Sequence, residues 1–143
     1  MPPYFVIYKE AFMSKSIIYT TNVTASAVAV GDLIPLGSTS RRYGCNLRQD
    51  GNGITATGAG YYLVTMSATV APTAAGAVTI TGQKDGVAII GATATSTAAA
   101  GAATDLAFSA IVRNIGCDSS ILSFVLTGAA ATVSNFAVSV VKL

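Results

Sequence analysis

The stretch Gly60-Tyr61-Tyr62-Leu63-Val64-Thr65-Met66-Ser67-Ala68-Thr69-Val70 decides the fold. Read at a period of two, Tyr62, Val64, Met66, Ala68 and Val70 fall on one side. Tyr61, Leu63, Thr65, Ser67 and Thr69 fall on the other, which is mostly hydroxylated. Successive side chains of a strand point to opposite faces, so this is the pattern of a long β-strand with one apolar face. Two other stretches repeat it. In 106–112 the set Leu106, Phe108, Ala110 and Val112 reads as buried, and in 133–141 the set Ser134, Phe136, Val138 and Val140 is more apolar than the set between. Between Val78-Thr79-Ile80 and Val87-Ala88-Ile89 stands Asp85-Gly86, a hairpin signal because a type I′ turn needs the positive φ that Asp and Gly tolerate.

Outward from these, short β-branched runs alternate with Gly, Asn, Asp and Pro. The expected strands are 16–21, 27–30, 43–47, 54–57, 61–70, 77–84, 87–94, 106–113, 121–127 and 133–142. The run Ala98-Ala99-Ala100-Gly101-Ala102-Ala103 is read as a loop, since it is short, broken by Gly101 and preceded by Thr93, Thr95 and Thr97 in alternation. About ten short strands with almost no helix predict an all-β chain, an antiparallel β-sandwich or jelly roll. At 143 residues one domain is expected.

Composition narrows the function. Hydrophobic residues make up 52% of the chain and charged residues only 10%, with eight Lys plus Arg, six Asp plus Glu and no histidine. Without histidine there is no ready proton shuttle near neutral pH, so the expectation is a non-enzymatic protein without catalytic residues, cofactor or metal. A net charge of +2 with scattered cations argues against nucleic acid. The uncharged stretches 51–83 and 119–141 are too broken by Gly, Pro, Thr, Ser and Asn to cross a membrane as helices. Charge this low fits a surface partly covered by identical subunits.

The first twelve residues differ from the rest. Tyr4, Phe5, Tyr8 and Phe12 are four of the eleven aromatic residues, and Met13-Ser14-Lys15 reads like a second start. Either the segment is a lead to the domain or it is an aromatic anchor that docks on a neighbour. Residues 1–15 are therefore taken as an N-terminal extension or anchor and 16–143 as the domain. The start also lacks the basic and apolar regions of a secretory signal, so none is expected. Cys45 and Cys117 form no metal-ligand or redox motif; buried free thiols and a disulfide within or between subunits both fit.

Four other features have ordinary structural readings. Asp50-Gly51-Asn52 is expected to be an Asx turn, because the further carboxylates of a calcium loop are missing. Asn22-Val23-Thr24 matches a glycosylation sequon without an export signal. Ser38, Thr39 and Ser40 beside Arg41-Arg42 are expected in a solvated polar loop, with glycan or capsid-protein contact as the alternative. Gly82 and Gly128 are expected to mark bulges or close backbone approaches.

The order of elements from about residue 14 to 143 resembles the trimeric jelly-roll heads of the tumour-necrosis-factor and complement globular-domain superfamily. The likeness is greatest to its bacterial and phage branch, which includes the heads of exosporium collagen-like proteins. The resemblance rests on Ala27-Val28-Ala29-Val30-Gly31 before Ile34-Pro35-Leu36, on Gly60-Tyr61-Tyr62-Leu63-Val64, on Val78-Thr79-Ile80 leading to Lys84-Asp85-Gly86, and on the terminal Val138-Ser139-Val140-Val141-Lys142-Leu143. It implies a TNF-like homotrimer whose axis is lined by Tyr61, Tyr62, Phe124, Phe136 and Val138, although each of these could instead fill its own subunit's core. The chain also looks like small Ala/Thr/Gly-rich head-decoration or head-fibre proteins of phages. This implies a structural protein on the virion surface, assembled in the host cytoplasm, that partners itself, the major capsid protein or another virion protein, and a host-surface glycan. A spore- or cell-surface module binding carbohydrate or a receptor through distal loops is the alternative. No Gly-X-Y repeat precedes the head, so a collagen stalk is not implied and attachment falls to residues 1–23 or the trimer base.

Overall fold

The structure, a computed structural model, describes residues 15–115 and 119–143. Its strands in chain order are β1 (Ile17–Asn22), β2 (Ser26–Val28), β3 (Ser38–Tyr43), β4 (Leu47–Asp50), β5 (Gly53–Thr57), β6 (Gly60–Pro72), β7 (Gly76–Lys84), β8 (Val87–Ala98), β9 (Thr104–Asn114), β10 (Ser119–Thr127) and β11 (Ala131–Lys142). Sheet 1 runs β3-β1-β11-β6-β9, with β2 continuing the place of β1 beside β11; sheet 2 runs β4-β5-β10-β7-β8. Their pairings are antiparallel. This is the jelly-roll sandwich that the alternating patterns predict.

The apolar parity of each strand faces the other sheet. In β6 the buried residues are Tyr62, Val64, Met66, Ala68 and Val70, as the alternation requires. Strand β11 adds a complication. Phe136, Val138 and Val140 are buried, but so is Val133, three positions from Phe136, while Ser134 is exposed. The pairing with β6 slips between Val133 and Asn135. The extra residue of this β-bulge changes the phase, so residues on both sides of it reach the core.

The expected strand at 43–47 is corrected. Gly44 has φ +81 and lies in a turn between β3 and β4, while the expected loop at 38–42 is the edge strand β3, exposed along its whole length. An edge strand tolerates Arg41 and Arg42 because charge there blocks unwanted pairing. The Asp85-Gly86 turn is as expected: Lys84 pairs with Val87, and the two turn residues have φ +53 and +80. At Gly82 the ladder of β7 and β8 slips. A Cβ there would lie 3.1 Å from Phe108 and 3.2 Å from Ala92, so the absent side chain leaves room for the Phe108 ring.

At the centre, the Phe124 ring lies 6.0 Å from Phe108 and 5.5 Å edge-on from Phe136, joining sheet 2 to two strands of sheet 1. The segment after β2 closes one side. Gly31 N donates to Leu126 O and Ile34 N to Phe124 O, which carries Ile34 and Leu36 into the core. The end of the sandwich that holds Ser16 and Leu143, here the terminal end, is sealed by polar groups. Ser16 Oγ donates to Asn46 Oδ1 (2.8 Å), Asn46 Nδ2 to Thr57 O (2.7 Å), Asn114 Nδ2 to Ala56 O (3.0 Å) and Ser120 Oγ to Asn114 Oδ1 (2.7 Å). The Tyr62 hydroxyl donates to Gly58 O and Thr57 O; burial pushes its pKa up, partly offset by Asn114.

Two stability changes are expected. Phe124→Ala should lower the unfolding free energy by about 3–5 kcal/mol, because it empties the contact between the sheets. Thr20 Oγ1 is buried without a hydrogen-bond partner among the described residues. Thr20→Val should therefore stabilise by about 1 kcal/mol, seen as a rise of about 3 °C in Tm by calorimetry.

Candidate functional site

With the core parity fixed, the opposite parity of sheet 1 forms an outer face across five strands. The registers set its composition row by row. Tyr43 pairs with Ile17, Ile17 with Val141, Val141 with Leu63 and Leu63 with Ile111, so one apolar row crosses the whole sheet. Toward the terminal end, Arg113 lies over the Tyr61 ring at 5.7 Å, and Leu143 N donates to Tyr61 O. In the other direction come Arg41, Tyr19, Ser139, Thr65 and Ser109, and then Thr21, Ala137, Ser67 and Ala107. The face is thus apolar and aromatic near the terminal end and small or hydroxylated beyond it. Its three inner strands carry no charged side chain outward between Ile17 and Thr21, Tyr61 and Thr69, or Asn135 and Val141.

Much of the apolar row is open to solvent. In the row Tyr43 is 68% exposed, Ile111 59% and Ile17 38%, and Tyr61 beside it is 50% exposed. Neighbouring apolar residues at this density are more than the scattered exposure of an ordinary surface, which makes this face the candidate for an interaction surface.

The sequence-based interface residues divide. Tyr61 lies on this face. Tyr62, Phe124, Phe136 and Val138 are corrected: each is at most 1% exposed within the single subunit and fills its own core. Tyr62, Phe136 and Val138 stand on the inward parity of β6 and β11, and Phe124 on that of β10, which no neighbouring subunit can reach. Sequence reasoning missed Ile17, Tyr19, Tyr43, Leu63, Ile111 and Val141. Their signal was present at Leu63, an apolar residue on the hydroxylated side of β6, but the register that lines it up with Ile17, Val141 and Ile111 is not visible in the sequence. Tyr4, Phe5, Tyr8, Phe12 and Cys117 lie outside the described residues. Cys45 is exposed in the β3–β4 turn, which corrects the expectation of a buried thiol for that residue.

Two cavities of about 260 Å³ open at the terminal end. One is lined by Lys84, Val87, Ala88, Ile89, Ile111, Val112 and Arg113, the other by Lys84, Asp85, Asn114, Ile115, Ser119 and Ser120. The second holds Ser119 and Ser120 with Lys84 and Asp85, but Ser120 Oγ donates to Asn114 Oδ1, Lys84 Nζ to Arg113 O and Ile121 N to Asp85 Oδ1, so among the described residues no hydrogen bond joins a serine hydroxyl to Lys84 or Asp85. The Asp50 turn joins β4 to β5: Thr55 Oγ1 donates to Asp50 Oδ2 at 2.6 Å and Arg48 Nε at 3.0 Å, and these bonds hold the Asp50 pKa below the usual carboxylate range. Among the described residues no three His, Cys, Asp or Glu side chains gather as a metal site, and no helix is long and apolar enough to cross a membrane.

No family model matches the sequence, and no curated protein matches it. Solved structures share the fold. Murine APRIL superposes with a TM-score of 0.71 at 13% identity, over 91% of this chain and 100% of that one. The Eiger TNF of S. frugiperda does so with a TM-score of 0.68 at 9% identity, over 90% and 91% of the two chains. The vertex protein P5 of PRD1 gives a TM-score of 0.59 at 17% identity, over 90% of this chain and 73% of that one. The chain therefore has the TNF-like jelly-roll fold.

Proposed function

We propose that the protein is a non-enzymatic structural component of a virion, a homotrimer that decorates the capsid or forms a head fibre, stabilising the shell or contacting the host surface. The observation that carries this reading is the outer face of sheet 1, without a charge on its three inner strands and with its apolar row in register. Five strands about 4.8 Å apart and about eight residues long cover roughly 600 Å² in projection. With side-chain relief, that approaches the roughly 800 Å² per partner of a standard protein interface.

A closed threefold ring needs two different, complementary patches on every copy. The face of sheet 1 is the first. The second is the lateral edge of β8 and the start of β9, where residues 86–104 include no charge. The opposite lateral edge, with Arg41, Arg42, Arg48 and Asp50, is less suited to burial. The ring leaves the outer face of sheet 2 and both ends free for the major capsid protein or another virion protein. The likeness to a viral vertex protein supports the virion setting. The likeness to APRIL and Eiger supports the second reading, a surface recognition module binding carbohydrate or a receptor through the loops opposite the termini.

Native mass spectrometry at micromolar concentration is expected to find a trimer. Leu63→Arg, which puts an unpaired charge into the ring contact, should weaken association more than about 100-fold. Thr79→Arg on the outer face of sheet 2 should leave the trimer intact. A monomeric parent protein would sink the assembly reading, and absence of the protein from purified particles would sink the virion reading.

A further inference from the structure

Near its start, β8 is lifted out of its sheet. Ala88 pairs with Gln83 and Thr93 with Thr81, so the four residues 89–92 stand opposite Gly82 alone. Both ends of this bulge are anchored. Ile89 packs against the core, and Ala92 is fully buried over the space that Gly82 leaves open. Between them the chain turns at Gly91, whose φ of +87 a side chain would strain. Ile90 stands at the crest and is fully exposed, with Val87 70% exposed on the same edge. A bulge re-aims a side chain, and this one, fixed on both sides, holds an isoleucine out in water.

We infer that Ile90 is the knob by which the β8 edge of one copy seats on the outer face of sheet 1 of the next. The inference rests on the ring proposed above and names the residue that carries its contact. A closed ring needs a projection and a recess on different surfaces of the same chain. The recess is a step on the outer face, where the large side chains of Ile17, Val141 and Leu63 give way to the small, uncharged Ser139, Thr65 and Ser109. An isoleucine set on that ledge covers Leu63 and Val141 and brings no charge to be desolvated. The irregular backbone of the bulge offers no regular ladder, so side chains make the contact.

The levels of knob and step agree. A Cβ at Gly82 would lie 3.1 Å from Phe108, and Ile89 shares the wall of the first cavity with Ile111, so the crest is level with residues 108–111 of β9. The ladders carry that level across sheet 1. Ile111 lines up with Leu63, Val141 and Ile17, and Ser109 with Thr65, Ser139 and Tyr19. Rotation about a threefold axis that runs along the strands leaves every level unchanged, so the crest of one copy meets the step of the next.

Native mass spectrometry of the full chain beside Ile90→Asp separates this contact from the ring. The variant should associate at least about 100-fold more weakly, since an apolar anchor is replaced by an unpaired charge. In a Cys45→Ser, Cys117→Ser background, Ile90→Cys with Thr65→Cys or with Ser139→Cys should give covalent dimers and trimers on oxidation, because a disulfide needs Cα atoms within about 7 Å. Ile90→Cys with Thr69→Cys, about 13 Å from Thr65 along β6, should form no such link. Trimers of equal strength in the parent and in Ile90→Asp would overturn the knob and leave the ring standing, as would a link at position 69 alone. A monomeric parent would remove the ring itself, and this contact with it.

Discussion

The aromatic contact of Phe124 with Phe108 and Phe136 is the constraint on which the rest of the molecule depends. It joins the middle strand of sheet 2 to two strands of sheet 1 and so fixes which parity of each strand turns inward. Once that parity is set, every strand of sheet 1 has its other set of side chains committed to the outside. The apolar row from Tyr43 to Ile111 and the hydroxylated rows beyond it are the remainder left by core formation. The glycine at 82 belongs to the same constraint, since the Phe108 ring occupies the space its side chain would need. Core and surface are thus two readings of one alternation.

Most of the architecture was legible because alternation is local. The strands of 61–70 and 106–113, the Asp85-Gly86 hairpin and the loop after Ala98 could be read from neighbouring residues alone. Failures came where local pattern is ambiguous. Arg41 and Arg42 look like loop residues until the strand is known to be an edge, and Tyr43 looks like the start of a strand although it ends one. In β11 a single extra residue at Ser134 changes the phase, and no residue type there announces a bulge.

The proposed assembly face was less legible than the fold. Tyr62, Phe136 and Val138 are large, apolar and on the strands that matter, and the sequence alone does not say which of two coverings, core or neighbour, hides them. Their burial within one subunit decides it. The residues that do lie outside are apolar members of mostly polar sets, and only the pairing of distant strands turns them into a row. The scarcity of charge, 10% of the chain, was the one bulk property that pointed to the face beforehand, since it leaves the outward sets of β1, β6 and β11 without a charged side chain.

The pairing of β1 with β11 has a consequence for how the chain comes to be folded. Ile17 lies opposite Val141 and Asn22 opposite Phe136, so the first strand finds its central partner in the last. During synthesis, β1 and β6 have no strand between them until residues 131–142 have left the ribosome. Sheet 1 can be completed only once those residues have emerged, by closing the loop from Ile17 to Val141, and such non-local pairing is slow. For that interval Ile18 and the inward side of β6 stay uncovered, and the nascent protein is most exposed to pairing with other chains.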